Sequence, residues 1–212
     1  MHAVQRRRRE TPLLTRDSIV TTALGIIRSE GLDALTMRRV ARAMNVAPMS
    51  LYRHIADRED LILGIMNRVA EGMELPPEDE SPEHELMALV RTLHKVFRKD
   101  PWIILVFANQ GLASPLALTL LDRVFACLYR MGLDGKAAIN AWQLVSQYLY
   151  GEALAGRLAE EQTYATRLLC EADRDRFPHL ARMLADSPGP GHVEEDFEVN
   201  LAALVNRLRP GS

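Results

Sequence analysis

Between Thr36 and Arg58 the chain gathers side chains that suit one kind of chemistry: Thr36, Arg38, Pro48, Met49, Ser50, Tyr52, Arg53, His54 and Arg58. Guanidinium and hydroxyl donors at this density meet phosphate oxygens and, from within a groove, the edges of bases. Covalent chemistry finds no comparable set. There is no glycine-rich phosphate loop and no G-x-S-x-G nucleophile turn. Glu152, Glu160 and Glu161 lack the Glu-x-x-His pairs of a carboxylate-bridged metal bundle. Cys127 and Cys170 are far apart, with no cysteine or histidine at ligand spacing, so neither a disulfide framework nor a zinc site is expected. The reading is no enzyme, no metal and no cofactor, in a reducing cytoplasm.

Charge supports the emphasis on this segment. Residues 1–58 hold eleven arginines against five acids, a balance of +6, and the remainder carries −8 within a total of −2. A basic head on an acidic body is expected where one end meets a polyanion and the other does something else. Arg6 to Arg9 read as a basic arm over residues 1–14, with a solvated tail as the alternative. They do not open a signal peptide, because Glu10-Thr11-Pro12 and Arg16-Asp17 interrupt any apolar stretch behind them. The one long uncharged run, Pro101 to Leu121, is broken by Asn109, Gln110, Gly111, Ser114 and Pro115, and reads as two buried helices rather than a membrane span.

The elements that must position these residues are all helical. The chain has 212 residues, 48% of them hydrophobic and 25% charged, enough for one large domain or two small ones. No segment alternates as a strand would. Thr15 caps a helix with Ile19, Val20, Ala23, Leu24 and Ile27 at helical period, stopped by Gly31. Thr36 caps a short helix, and Asn45 stands where the chain must turn, because Asn tolerates the left-handed conformation. A second short helix runs from Pro48 to about His54, and Asp57 caps a longer one that ends before Pro76-Pro77. After an acidic linker over 76–81, Ser81-Pro82, Asp100-Pro101 and Ser114-Pro115 each mark a helix start. A long helix follows from Gly135 to about Glu160, with one stripe of Ala138, Trp142, Val145, Leu149 and Ala153 and a second of Leu144, Tyr148, Gly151, Ala155 and Leu158, so it must be covered on more than one side. Phe177-Pro178 starts another helix. Beyond the Ser187–Gly191 loop, the last helix carries Phe197, Leu201, Leu204 and Leu208.

Two short helices around a tight turn match a helix-turn-helix, whose second helix enters the DNA major groove. Residues 13–66, with Leu32-Asp33-Ala34-Leu35-Thr36-Met37-Arg38-Arg39-Val40-Ala41 and then Val46-Ala47-Pro48-Met49-Ser50-Leu51-Tyr52-Arg53-His54, resemble the DNA-binding domain of the TetR family of transcriptional regulators. The remainder resembles the helical region of the tetracycline-repressor branch in helix order and in short stretches such as Phe177-Pro178-His179-Leu180. Asn45 stands where that family commonly has glycine, and Ile55 where it commonly has an aromatic residue. The resemblance implies that Thr36, Arg38, Tyr52, His54 and Arg58 touch phosphates, and that Pro48, Met49, Ser50 and Arg53 face the groove and choose bases.

The same resemblance implies an effector cavity in the body, beside Trp102, Phe107, Phe125 and Trp142, with Asn109, Gln110, Gln143 and Gln147 as polar handles. Tetracycline is not the expected effector, because no histidine falls around Leu105 to Gly111 and Ala153 stands near the position of that repressor's acid. The resemblance also implies a homodimer through the long helix and the last helix, including Leu201 and Leu204. The expectation is therefore an all-α protein: a basic arm at 1–14, a helix-turn-helix three-helix DNA-binding domain at 15–60, and a larger helical effector-binding and dimerisation domain at 61–212. Its partners are a near-palindromic double-stranded DNA operator, a small, mainly apolar effector and a second copy, with no membrane. A DNA-binding regulator or activator without an effector is the alternative.

Overall fold

The computed structural model describes residues 14–159, 164–186 and 193–208. Residues 1–13 of the basic arm, Glu160, Glu161 and the Ser187–Gly191 loop lie outside them. Among the described residues there are eleven α-helices, a single 3-10 turn and no strand. None of these helices is long and apolar enough to cross a membrane. The chain falls into two compact units: residues up to Gly72 together with Gly111–Pro115, and Met73–Gln110 with everything from Leu116 onward.

The head is built from α1 (Arg16–Glu30), the turn Leu32–Ala34, α2 (Met37–Met44), α3 (Pro48–Leu51) and α4 (Arg58–Glu71). Each start is set locally. The Thr15 hydroxyl accepts from the Ser18 amide while the Ser18 hydroxyl accepts from the Thr15 amide, closing a capping box. Thr36 caps α2 by accepting from the Arg39 amide at 3.1 Å, and Asp57 caps α4 by accepting from the Asp60 amide at 2.8 Å. Asn45 takes the left-handed conformation, φ 56° and ψ 44°, and so ends α2 and turns the chain into α3. The core of the head is Ile19, Ala23 and Ile27 of α1, Val40 and Ala41 of α2, Leu51, Ile55, and Leu61, Ile62 and Ile65 of α4, all nearly inaccessible. Gly64 lets α4 approach α1 closely, since a β-carbon there would sit 3.0 Å from Val20 Cγ2. The loop Gly111–Pro115 belongs to this unit, and its buried Ser114 donates its hydroxyl to Asn67 Oδ1 on α4 at 2.7 Å.

The body holds α5 (Pro82–Lys99), α6 (Trp102–Gln110), α7 (Ala117–Arg130), α8 (Gly135–Ala159), α9 (Tyr164–Cys170), α10 (Pro178–Asp186) and α11 (Val193–Arg207). Leu86, Leu89 and Val90 of α5, Val124 and Leu128 of α7, Val145 and Leu149 of α8, and Phe197, Leu201 and Val205 of α11 form one core. The expected inward stripe of α8 is confirmed from Ala138 to Ala153, with Trp142 half-buried. Its second stripe is not a core face of this chain: Leu144 is exposed and Tyr148 half-buried. Ser114 does not stand at the cap of α7: the helix begins at Ala117, with Leu116 at the cap position and no side-chain cap, while the Ser114 hydroxyl donates to Asn67. Leu201, expected at an interface between copies, is buried in this core, and Leu204 is packed partly against it. An amphipathic helix offers only one apolar face, and α11 turns that face onto its own chain.

One buried acid was not foreseen. Glu85, 4% exposed, accepts from Arg123 at 3.1 and 2.5 Å, from Arg130 at 2.8 Å and from the Asp79 amide at 3.3 Å. The same arginines donate to the carbonyls of Pro76, Asp79 and Glu80, so the acidic linker is tied down onto α5 and α7. Burial pushes the Glu85 carboxyl up, but the hydrogen bonds from Arg123, Asp79 and Arg130 outweigh it and hold the group below its ordinary value.

Candidate nucleic-acid interface

The four-residue α3 is shorter than the sequence pattern predicts. It ends at Leu51, and Tyr52 to His54 continue as a turn in which the His54 and Ile55 amides both donate to the Leu51 carbonyl. Leu51 and Ile55 point into the core and anchor the segment from below, so Ile serves the buried site at position 55 without an aromatic ring. The remaining side chains are turned outward. Pro48, Met49, Tyr52 and Arg53 are exposed, Met49 to 74%, and Ser50 and His54 are half-buried. A methionine so exposed adds nothing to the core, and its flexible thioether suits contact with a partner.

Thr36 and Arg38 are also exposed, at the start of α2. The Thr36 hydroxyl is engaged as the helix cap, yet it retains donor capacity for a phosphate oxygen. Arg58 is half-buried, and its Nε donates to the Leu35 carbonyl at 3.1 Å, tying the first turn of α4 to the entry of α2. It therefore has an internal duty that the sequence did not show.

Two further ion pairs brace this surface, and both escaped the sequence reading. Arg16 grips Asp60 in a fork, at 2.9 and 2.5 Å, and also donates to the His54 carbonyl at 3.1 Å. Asp60 accepts in addition from the Ala56 amide at 2.8 Å. One carboxylate thus joins the start of α1, the turn after α3 and the first turn of α4. The Arg16 hydrogen bond holds the Asp60 carboxyl below its ordinary value. Arg39 forks onto Glu30 at 3.0 and 2.5 Å, and that bond likewise lowers the Glu30 carboxyl. The two neighbouring arginines of α2 therefore divide their work: Arg39 fastens α2 to α1, and Arg38 faces outward.

The side chains expected around an effector differ widely in exposure. Trp102 is buried, with its indole nitrogen donating to Asp100 at 3.1 Å, and Phe125 and Trp142 are half-buried against the body core. Phe107 is 47% exposed, and Asn109, Gln110, Gln143 and Gln147 are exposed. Gln143 and Gln147 lie on the α8 face turned away from the core. No cluster of three or more His, Cys, Asp or Glu side chains able to hold a metal occurs among the described residues.

Known proteins resemble this chain over most of its length. The family described as bacterial regulatory proteins, tetR family, matches residues 19–65, and the tetracyclin repressor-like C-terminal domain matches residues 75–209. The chain is 30% identical over 182 residues to the HTH-type transcriptional repressor DrrR1 of Streptomyces coeruleorubidus, covering 84% of this chain and 67% of that one. An HTH-type transcriptional regulator of Saccharopolyspora erythraea is 28% identical over 185 residues, covering 87% and 76%. Among solved structures, the TetR family protein ActR of Streptomyces coelicolor in complex with actinorhodin superposes with a TM-score of 0.73 at 27% identity, over 93% of this chain and 96% of that one. ActR in complex with (S)-DNPA gives 0.74 at 27% identity, over 92% and 96%.

Proposed function

The chain belongs to the TetR family of DNA-binding transcriptional repressors, and on that premise we propose that two copies hold a near-palindromic operator and release it when a small, mainly apolar effector occupies the body. The observation that carries the DNA half is the outward surface of α3 and its following turn, fastened underneath by the Arg16–Asp60 fork. A base-reading segment must be held in register, and a carboxylate joined to three elements does that. In this reading Pro48, Met49, Ser50 and Arg53 meet base edges in the major groove. Thr36, Arg38, Tyr52, His54 and Arg58 meet the phosphates on either side, and the arm at 1–14 adds charge without register.

One head reads only a few base pairs, so two heads about 34 Å apart, one helical turn of DNA, are needed for an operator. The apolar residues that α8 and α11 leave exposed, Ile139, Leu144, Leu154 and Val199, supply the surface for the second copy. The effector half rests on the likeness to ActR, which is seen with actinorhodin and with (S)-DNPA. An effector acts by binding the releasing conformation more tightly than the DNA-holding one, and the coupling is reciprocal. Residues 15–60 then serve DNA, residues 61–212 serve the effector and the partner copy, and the protein works in the cytoplasm beside its operator.

The test is selection of binding sequences from random duplex DNA by the full-length protein. The expected result is an enriched sequence with two-fold symmetry, bound in a two-to-one complex. Recovery of no enriched sequence, or of one recognised equally by an Arg53→Ala variant, overturns the assignment.

A further inference from the structure

The outward face of α3 and its turn divides between one apolar side chain and one charged one. Leu51 is fully buried, and at about 100° per residue Met49 and Arg53 fall about 40° apart and about 160° away from it. Arg53 is exposed in the turn that continues α3, where the Ile55 amide keeps a helical bond to the Leu51 carbonyl at 3.0 Å. Met49 is 74% exposed, and no large apolar side chain among the described residues is more so. Ala47 and Pro48, just before it, are exposed as well. Three successive side chains thus offer a partner no donor and, in the Met49 sulfur, only a weak acceptor. The arginines on either side of them in the chain, Arg38, Arg42 and Arg53, are exposed too. An apolar strip set among cations suits an apolar group carried on a polyanion.

Duplex DNA carries one such group in its major groove. Arg53 can pair with O6 and N7 of a guanine, but a thioether has no hydrogen to donate, and the thymine C5-methyl is the apolar feature by which one base pair differs from another. We propose that Met49 reads thymine, packing on the C5-methyl of a thymine close to the guanine that Arg53 reads. Side chains four residues apart on a helical turn stand about 5–6 Å apart and successive base pairs about 3.4 Å, so the thymine lies one or two base pairs from that guanine. The inference rests on the DNA reading and adds the chemical group that each half of the operator must present. Because the methyl alone is recognised, 5-methylcytosine satisfies Met49 as thymine does, whereas uracil and cytosine do not.

The test uses the full-length protein and the duplex it enriches from random DNA, resynthesised with uracil for thymine at one symmetric pair of positions at a time. Burying one methyl group is worth about fourfold in affinity, so uracil in both halves should weaken binding roughly fifteenfold at one such pair. That pair stands one or two base pairs from the guanine whose replacement by 7-deazaguanine ceases to matter in Arg53→Ala. Met49→Ala should bind the uracil and thymine duplexes within about twofold of each other, and Met49→Leu, which keeps an apolar side chain, should retain the penalty. Both variants should match the parent in melting temperature and on random duplex DNA, because the side chain is exposed and the phosphate contacts are untouched. At the same position 5-methylcytosine should bind more tightly than cytosine by a similar factor in the parent, and not in Met49→Ala. The assignment is overturned if no position is sensitive to uracil, if the penalty persists in Met49→Ala, as altered duplex deformability would make it, or if 5-methylcytosine and cytosine bind alike. A sensitive position with no Arg53-dependent guanine within two base pairs overturns it too. An enriched operator that fails these tests leaves the DNA reading standing and removes the role of Met49. Recovery of no enriched sequence removes the DNA reading itself, and this inference with it.

Discussion

Arg38 and Arg58 are both assigned to the DNA backbone, yet the structure gives them different loads, and that difference can be measured. Arg38 is exposed, whereas Arg58 spends its Nε on the Leu35 carbonyl at 3.1 Å. Arg38→Ala should therefore remove one phosphate contact per head and little else. Each neutralised phosphate contributes about 0.9 to the slope of log affinity against log salt, so a two-headed complex should lose about 1.8. Between about 50 and 200 mM salt, the parent's affinity should then fall about twelvefold further than that of the variant. Arg58→Ala should show the same loss of slope together with a destabilised head, by about 1–2 kcal/mol for a charge-assisted bond at a half-buried site. Arg58→Lys keeps the charge but cannot present an Nε–H to Leu35, so it should restore the slope and leave the head destabilised. Fluorescence anisotropy on the selected operator at three salt concentrations gives the slopes, and circular dichroism melts give the stability. An unchanged slope for Arg38→Ala, or a slope that Arg58→Lys fails to restore, would refute the placement of the backbone along the start of α2 and α4.

Glu85→Ala leaves Arg123 and Arg130 facing an empty site and should cost roughly 3–5 kcal/mol, read as a lowered melting midpoint. Asp60 is held below its ordinary carboxyl value, so the stability it confers is complete above that value and is lost as pH falls through its folded one; Asp60→Asn should flatten the acid limb of head unfolding, followed by melts from pH 2 to 6. Burial raises the Cys127 thiol to about 11, whereas Cys170 is exposed, so a thiol reagent at pH 8 should consume one equivalent in the native protein and the second only on unfolding. Leu201→Ala should cost about 2–5 kcal/mol of stability in a single chain. Leu144→Arg, on the exposed α8 face, should leave the melt nearly unchanged and shift sedimentation toward the monomer.

What the sequence disclosed and what it withheld divide by the distance over which a contact acts. Thr15, Thr36, Asp57 and Asn45 act within four residues of themselves, and each was read in its place because a cap or a left-handed turn is a property of a short segment. Arg16 with Asp60, Arg123 and Arg130 with Glu85, and Ser114 with Asn67 join residues separated by 44, 38, 45 and 47 positions, and no local pattern announces such pairs. The faces of α8 carry a signal of another kind, one the sequence does hold. Gln143 and Gln147 are expected as handles for their amide groups, and helical phase adds where those groups fall around α8. At about 100° per residue, a stripe centred on Ala138, Val145 and Leu149 puts them about 140–180° away, on the far face, as the structure finds them. The same arithmetic puts Glu152 within about 40° of the centre of that stripe, as an acid among residues that point inward. A carboxylate in phase with an apolar stripe has to meet something buried, and Glu152 does so: burial raises its carboxyl while the Arg98 guanidinium draws it down.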